Sequence, residues 1–171
     1  MIEPIVTIEK KADEAFLRTK TIPFDFAKFK KKELQDLVRS MRIIMKKADG
    51  VGLSANQIGR KERFFVAQVP DTQGRPVFYA VFNPQITKMS DELQTTEEGC
   101  LSVPHAYGQT PRAYRVTLEG WDINNKKIKI KAWGLLARVF QHETDHLDGK
   151  LFVDRARAVI QVPPKPLKKN G

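Results

Sequence analysis

Apolar residues recur at helical spacing between Phe26 and Lys47, where Leu34, Leu37, Val38, Met41, Ile44 and Met45 fall on one side of a helix and the run stops at Asp49-Gly50. Four later segments predict strands instead: Arg63 to Val69, Val77 to Phe82, Ala113 to Gly120 and Lys126 to Trp133. The last alternates lysine with isoleucine through Lys127-Ile128-Lys129-Ile130-Lys131, the period of a sheet with one wet and one buried face. Turn residues gather from Asp71 to Gly74 and at Asn124-Asn125. A second helix is expected to open at Gly134 and close at Gly149, with Leu135, Leu136, Val139 and Phe140 near its start. No internal repeat, low-complexity block or linker interrupts the chain. The pattern predicts one α+β domain, with antiparallel sheets around that second, central helix.

The second helix also carries chemistry, in Gln141-His142-Glu143-Thr144-Asp145-His146. At about 100° per residue, positions 142 and 146 lie on one face a turn apart, so both imidazoles reach one ion. Glu143 then leans toward whatever the ion holds. A His-Glu-x-x-His pattern is the hydrolytic zinc signature, with the glutamate as general base rather than ligand. A third ligand has to come from elsewhere. One metalloprotease class places a histidine after a glycine, but here Gly149 is followed by Phe152 at that position. Another takes a glutamate from a later helix, and no glutamate follows Glu143. Asp148 lies on the far side of the helix from His146, which leaves Asp154 downstream and, upstream, the only cysteine of the chain, Cys100. A thiolate with two imidazoles leaves a fourth position open for water, the arrangement of a catalytic ion. A lone cysteine is otherwise a small buried hydrophobe.

Three segments, Gly50-Val51-Gly52-Leu53-Ser54-Ala55-Asn56-Gln57, Glu98-Gly99-Cys100-Leu101-Ser102 and Gln141-His142-Glu143-Thr144-Asp145-His146-Leu147, resemble in order and spacing the signature motifs of the peptide deformylases. The resemblance runs from Leu17-Arg18 through Phe152. It implies that Cys100, His142 and His146 bind one divalent metal ion, Fe²⁺ in first place, while the ligand types leave Zn²⁺, Ni²⁺ and Co²⁺ open. It further implies Glu143 as acid/base, with Gln57 and the Leu101 backbone N–H as the oxyanion site. The substrate would be an N-formylmethionyl nascent polypeptide, bound extended along Gly50, Val51 and Gly52 and against Glu98 and Gly99, with formate released. The chemistry is coherent: a metal-bound water has its pKa brought toward neutrality, so hydroxide attacks a carbonyl at cellular pH while Glu143 takes the proton and returns it to the departing amine. Charge on the former carbonyl oxygen is met by the metal, an amide donor and a backbone N–H. Val139 and Leu135, three and seven residues before His142, continue an apolar strip suited to a methionine side chain, although at least two of Leu135, Leu136, Val139 and Phe140 must pack the core.

Three positions depart from the common family pattern. Ser54 and Asn56 stand where alanine and proline are frequent, and Tyr107 where many bacterial members carry arginine. Asn56 restores a backbone donor and frees φ beside Gln57, so oxyanion geometry is what these changes bear on.

Composition agrees with this reading. The chain of 171 residues with 41% hydrophobic content suits one domain with a real core. One cysteine makes no internal disulfide, which favours a reducing compartment and leaves the thiol for metal. Met1-Ile2-Glu3-Pro4-Ile5-Val6 lacks a long apolar core, so neither signal peptide nor membrane span is expected, and the location implied is the cytoplasm or an equivalent organellar matrix. The net charge of +10 is more than metal hydrolysis requires. Basic residues cluster at Lys28 to Lys32, Lys46-Lys47, Arg60 to Arg63, Lys126 to Lys131 and Lys165 to Lys169. Solvated faces explain most of them, yet a field of this sign draws polyanions in a salt-dependent way. For a deformylase that polyanion is ribosomal RNA. Residues 1–160 are thus expected to form the catalytic domain, and residues 161–171 a mobile tail, rich in Pro and Lys, that makes such contact. Two rivals stay open. A metallopeptidase would use the same groups on a different carbonyl, and a basic RNA-binding module with a structural ion would need a fourth ligand, for which His105 is the only spare histidine.

Overall fold

A computed structural model describes residues 4–163. In chain order the elements are α1 (Lys11–Leu17), α2 (Lys31–Lys47), β1 (Gly52–Ser54), β2 (Phe64–Pro70), β3 (Pro76–Met89), β4 (Leu93–Cys100), β5 (Val103–Ala113), β6 (Arg115–Trp121), β7 (Lys127–Trp133), α3 (Gly134–Leu147) and β8 (Val159–Gln161), with single 3₁₀ turns at Phe26–Lys28, Ala55–Ile58 and Phe152–Asp154.

The predicted first helix begins later than its periodicity suggests. Phe26–Lys28 is a separate turn in which the Asp25 carboxylate accepts the Ala27 N–H at 3.1 Å. Phe26 and Phe29 are drawn into the aromatic cluster around Phe24, stacking or meeting it edge-on at 5.0 and 4.7 Å between centroids. The helix proper starts at Lys31, where the Glu33 carboxylate accepts the Lys30 N–H at 2.9 Å. Leu34, Val38, Met41, Ile44 and Met45 are its buried stripe, as the spacing requires. Its stop is a Schellman arrangement: Gly50 N–H donates to Met45 O at 2.9 Å and Asp49 N–H to Lys46 O at 3.1 Å. The left-handed residue there is Asp49, at φ 55, and not either glycine.

Two antiparallel sheets form, β1-β2-β3-β6-β7 and β4-β5-β8. Consecutive residues of β2 point to opposite faces, and both faces are covered. Phe64 joins Phe24, Phe82 and the stripe of α2, whereas Phe65 joins Val116, Leu118, Phe140 and Leu147 on the side of α3. The lysine and isoleucine alternation of β7 resolves as expected, with Ile128 and Ile130 toward the α3 side and Lys127, Lys129 and Lys131 exposed. The predicted strand Ala113 to Gly120 is two strands in different sheets. The chain crosses at Tyr114, whose N–H donates to Glu92 O at 2.8 Å and whose carbonyl accepts Gly134 N–H at 2.9 Å. β4, β5, β1 and β8 were not signalled by period: β4 is LQTTEEGC, largely polar, and β5 is punctuated by Pro104 and Pro111. They pair through backbone, which has no sequence signature. α3 is held between the two sheets, touching β1, β2, β3, β5, β6 and β7. The expected architecture, antiparallel sheets around a central helix in one domain, is what forms.

Candidate metal centre and substrate cleft

The three motifs arrive at one place by three routes. α3 presents His142 and His146 a turn apart. The β4–β5 hairpin brings Cys100 to its tip, where Ser102 N–H points at Cys100 Sγ at 3.4 Å. The turn Ala55–Ile58 after β1 delivers Gln57. An N-terminal segment staples the last two together, with Val6 N–H donating to Gln57 O at 2.8 Å and Ile8 N–H to Ser102 O at 2.9 Å.

Cys100 Sγ lies 3.1 Å from His146 Nε2, and His146 Nε2 lies 3.1 Å from His142 Nε2. Three donor atoms within 4.8 Å of one another form a cluster able to hold a metal ion, the three-donor group found among the described residues. Donors about 2.0–2.3 Å from one ion sit at comparable mutual distances. The residues therefore fit a divalent ion with an open position. His142 is aimed by its other nitrogen: Nδ1 is 2.6 Å from Glu98 Oε1, the carboxylate–imidazole arrangement that orients metal-binding histidines. Burial alone would raise the Cys100 thiol, but the charge of His146 and hydrogen bonds from both imidazoles outweigh it and hold it at about 5, so a thiolate is present at neutral pH. Burial likewise works against a charged His142, yet its bonds to Cys100 and Glu98 push it well above the usual imidazole range.

Glu143 is only 3% exposed. Its Oε2 accepts a hydrogen bond from Ser54 Oγ at 2.7 Å, and the same hydroxyl lies 3.0 Å from the Glu143 carbonyl. Burial raises its pKa, against the charges of His142 and His146 and the Ser54 bond. Gly52 was expected to admit a ligand. It also makes room for Glu143, because a Cβ there would stand 2.2 Å from Glu143 Oε1. Gln57 is fixed at its carbonyl end by Ser54 N–H at 2.9 Å; its Nε2 donates to Ser102 Oγ at 3.0 Å and lies 3.8 Å from Cys100 Sγ. Asn56 Nδ2 donates to His146 O at 2.7 Å. The two departures in the first motif thus act as polar ties from the Gln57 turn to α3, and Gln57 still faces the ligands.

A cavity of about 720 Å³ opens over these groups. Gly50, Val51, Gly52, Gln57, Glu98, Gly99, Cys100, Leu101, Leu135, Val139, His142 and Glu143, all expected at the site, line it. Within the apolar strip of α3, Leu135 is 49% exposed and faces the cleft, Val139 serves cleft and core together, and Leu136 and Phe140 belong to the core. Glu98 lines the cavity with both its carboxylate oxygens already engaged, by His142 and Arg112, and with Arg138 3.4 Å away. Asp154 is removed as a ligand, since it pairs with Arg18 at 2.6 Å and accepts Leu151 N–H at 2.9 Å. His105 lines the cleft but is not in the three-donor cluster, so among the described residues the structural-ion rival finds no fourth protein ligand there.

Sequence reasoning missed what stands behind the ligands. Arg112 of β5 bridges Glu98, at 3.0 and 3.2 Å, to Asp145 of α3, which also accepts Arg155 Nε at 3.0 Å. A buried chain Asp145–Arg112–Glu98–His142 therefore runs from the back of the helix to a ring of the three-donor cluster. Only the position of Asp145, between the two histidines yet off their face, hinted at it.

This α+β frame, with a thiol and two imidazoles beside a buried glutamate, has close counterparts. A family profile described as polypeptide deformylase matches residues 2–161. The chain is 41% identical over 139 residues, 81% of its length and 74% of the relative's, to peptide deformylase 2 of Gloeobacter violaceus. Its fold matches a probable peptide deformylase from Synechococcus phage S-SSM7 with a TM-score of 0.78 at 37% identity, covering 88% of this chain and 97% of that one. It also matches a class I type b peptide deformylase from Acinetobacter baumannii with a TM-score of 0.81 at 29% identity, covering 91% and 98%. The chain belongs to the polypeptide deformylase family and is an enzyme of that class.

Proposed function

We propose that the enzyme removes the formyl group from N-formylmethionyl nascent peptides as a metal-dependent amidohydrolase, with Cys100, His142 and His146 as ligands and Glu143 as acid/base. The convergence of one thiol and two imidazole nitrogens beside that buried carboxylate carries the reading. A divalent ion held there supplies Lewis acidity, making water nucleophilic near neutral pH and polarising a carbonyl. The protein supplies the rest. Glu143, steered by Ser54, accepts the proton of the attacking water and passes it to the amine that leaves with the peptide. Gln57 Nε2 and the Leu101 N–H are the donors assigned to the carbonyl oxygen as negative charge builds on it. The Acinetobacter relative is described with Met-Ala-Ser bound, and that peptide class is carried over here: the first side chain against Leu135 and Val139, the backbone along Gly50 to Gly52 and Gly99.

Ligand softness suits iron and zinc alike, and the family points to Fe²⁺. Protein purified without oxygen, assayed for metal and given a formyl-Met peptide, should release formate and leave the unformylated counterpart intact. Internal cleavage would favour a conventional peptidase. Activity lost in air and restored by anaerobic Fe²⁺ but not by zinc would establish iron. A charge of +10 supports transient contact with ribosomal RNA where nascent chains emerge. No helix among the described residues is long and apolar enough to cross a membrane.

A further inference from the structure

One wall of the cleft has no part in the chemistry just described. On a single face of the three-stranded sheet, Gly99 pairs with Tyr107 and Tyr107 with Ile160, so the three form a row across β4, β5 and β8. A Cβ at Gly99 would meet the Tyr107 ring at 2.8 Å, which places the ring over the backbone next to Cys100. Past β8 the pairing continues, with Val162 N–H donating to His105 O at 2.8 Å. Tyr107, Val162 and Pro163 line the same cavity as His142 and Glu143. Tyr107, Ile160 and Val162 are 40%, 54% and 36% exposed, apolar surface left open beside a reaction centre.

We infer that Tyr107, Ile160, Val162 and Pro163 form an apolar subsite for the side chains that follow formylmethionine, which makes the C-terminal strand a determinant of peptide preference. The inference rests on the deformylase reading. A formylated nascent peptide extends beyond its first residue, and the cavity that receives the formyl group is continuous with this wall. These four side chains carry no charge, and the carboxylate nearest to their row is Glu97, two residues before Gly99 on the same strand. The wall therefore discriminates by burial, and in so open a site the preference should be at the lower end of what apolar pockets achieve, about three- to tenfold.

The test uses the metal-loaded enzyme and three substrates: formyl-Met-Ala amide, formyl-Met-Ala-Leu-Leu amide and formyl-Met-Ala-Ser-Ser amide. The leucine peptide should exceed the serine peptide in kcat/KM by about three- to tenfold, through KM. In Ile160→Ser/Val162→Ser that ratio should fall to near one. A ratio near one in the unaltered enzyme, or one unchanged in the double variant, overturns the subsite. A second arm does not depend on the stability of β8: Tyr107→Arg should turn the preference toward formyl-Met-Ala-Glu-Glu amide, and an unaltered order of substrates counts against the inference. Formyl-Met-Ala amide keeps the two readings apart. If the unaltered enzyme releases no formate from it, the deformylase reading itself fails, whatever the longer peptides do.

Discussion

Glu143 has the clearest individual consequence. It holds no assigned ligand bond, so Glu143→Ala should retain the metal and lose turnover by about a hundredfold to ten-thousandfold, the usual cost of removing a positioned base. Formate release together with metal content reads this directly, and near-normal turnover would refute the role. Gly52 gives a sharper version of the same claim. Its missing side chain leaves the space that Glu143 Oε1 occupies, at 2.2 Å from where a Cβ would stand. Gly52→Ala should displace the carboxylate by enough to cost about a hundredfold in kcat, with the circular dichroism spectrum unchanged. Loss of folding in place of loss of rate would show Gly52 to be structural instead. Neither effect is visible in a motif, because a glycine written between two apolar residues does not say which side chain it makes room for.

Between elements, α3 and β5 are tied by Arg112, which bridges Glu98 and Asp145 inside the protein. Replacing it by methionine takes the shared guanidinium from two buried carboxylates, leaving Glu98 to His142 and Arg138 and Asp145 to Arg155, so the loss should reach at most the roughly 3–5 kcal/mol that a broken buried pair costs. Urea unfolding of metal-free Arg112→Met should show a loss within that bound. The same network sets an acid limit. Burial would raise the Glu98 carboxyl, but His142 and Arg112 override it and hold Glu98 at about 2. Its folded pKa lies below the unfolded value of about 4.3, so its contribution to stability is fully present above that pH and disappears as pH falls from there to about 2. Glu98→Gln should flatten stability against pH across that window. It should also weaken metal affinity by about ten- to a hundredfold, because the partner that orients His142 is lost. A metal titration showing unchanged affinity would remove Glu98 from that role.

Over the whole molecule, +10 of net charge acts at a distance rather than at the site. Association with purified ribosomes should weaken steeply between low and moderate salt, and deletion of residues 164–171 should reduce both affinity and salt slope. Unchanged values in the shortened chain would dismiss the tail as the contact. The expected tail begins within described structure, since Gln161 pairs with Ala106, while residues 164–171 lie outside the described residues and their expected mobility with them. Helix α2, the alternating strand β7 and the His-Glu-x-x-His turn were all legible in the sequence, because each is written in a local period that backbone geometry imposes. That Cys100 would meet His142 and His146 was legible too, since few donor types serve a divalent ion and Cys100 is the only thiol. Tertiary structure alone decided the rest: the sheet change at Tyr114, the polar strands β4 and β5, the bridge through Arg112, and a C-terminal strand that walls the cleft. These depend on contacts between residues far apart in the chain, and their pairing energy comes from backbone groups that every residue carries, so no local pattern records them.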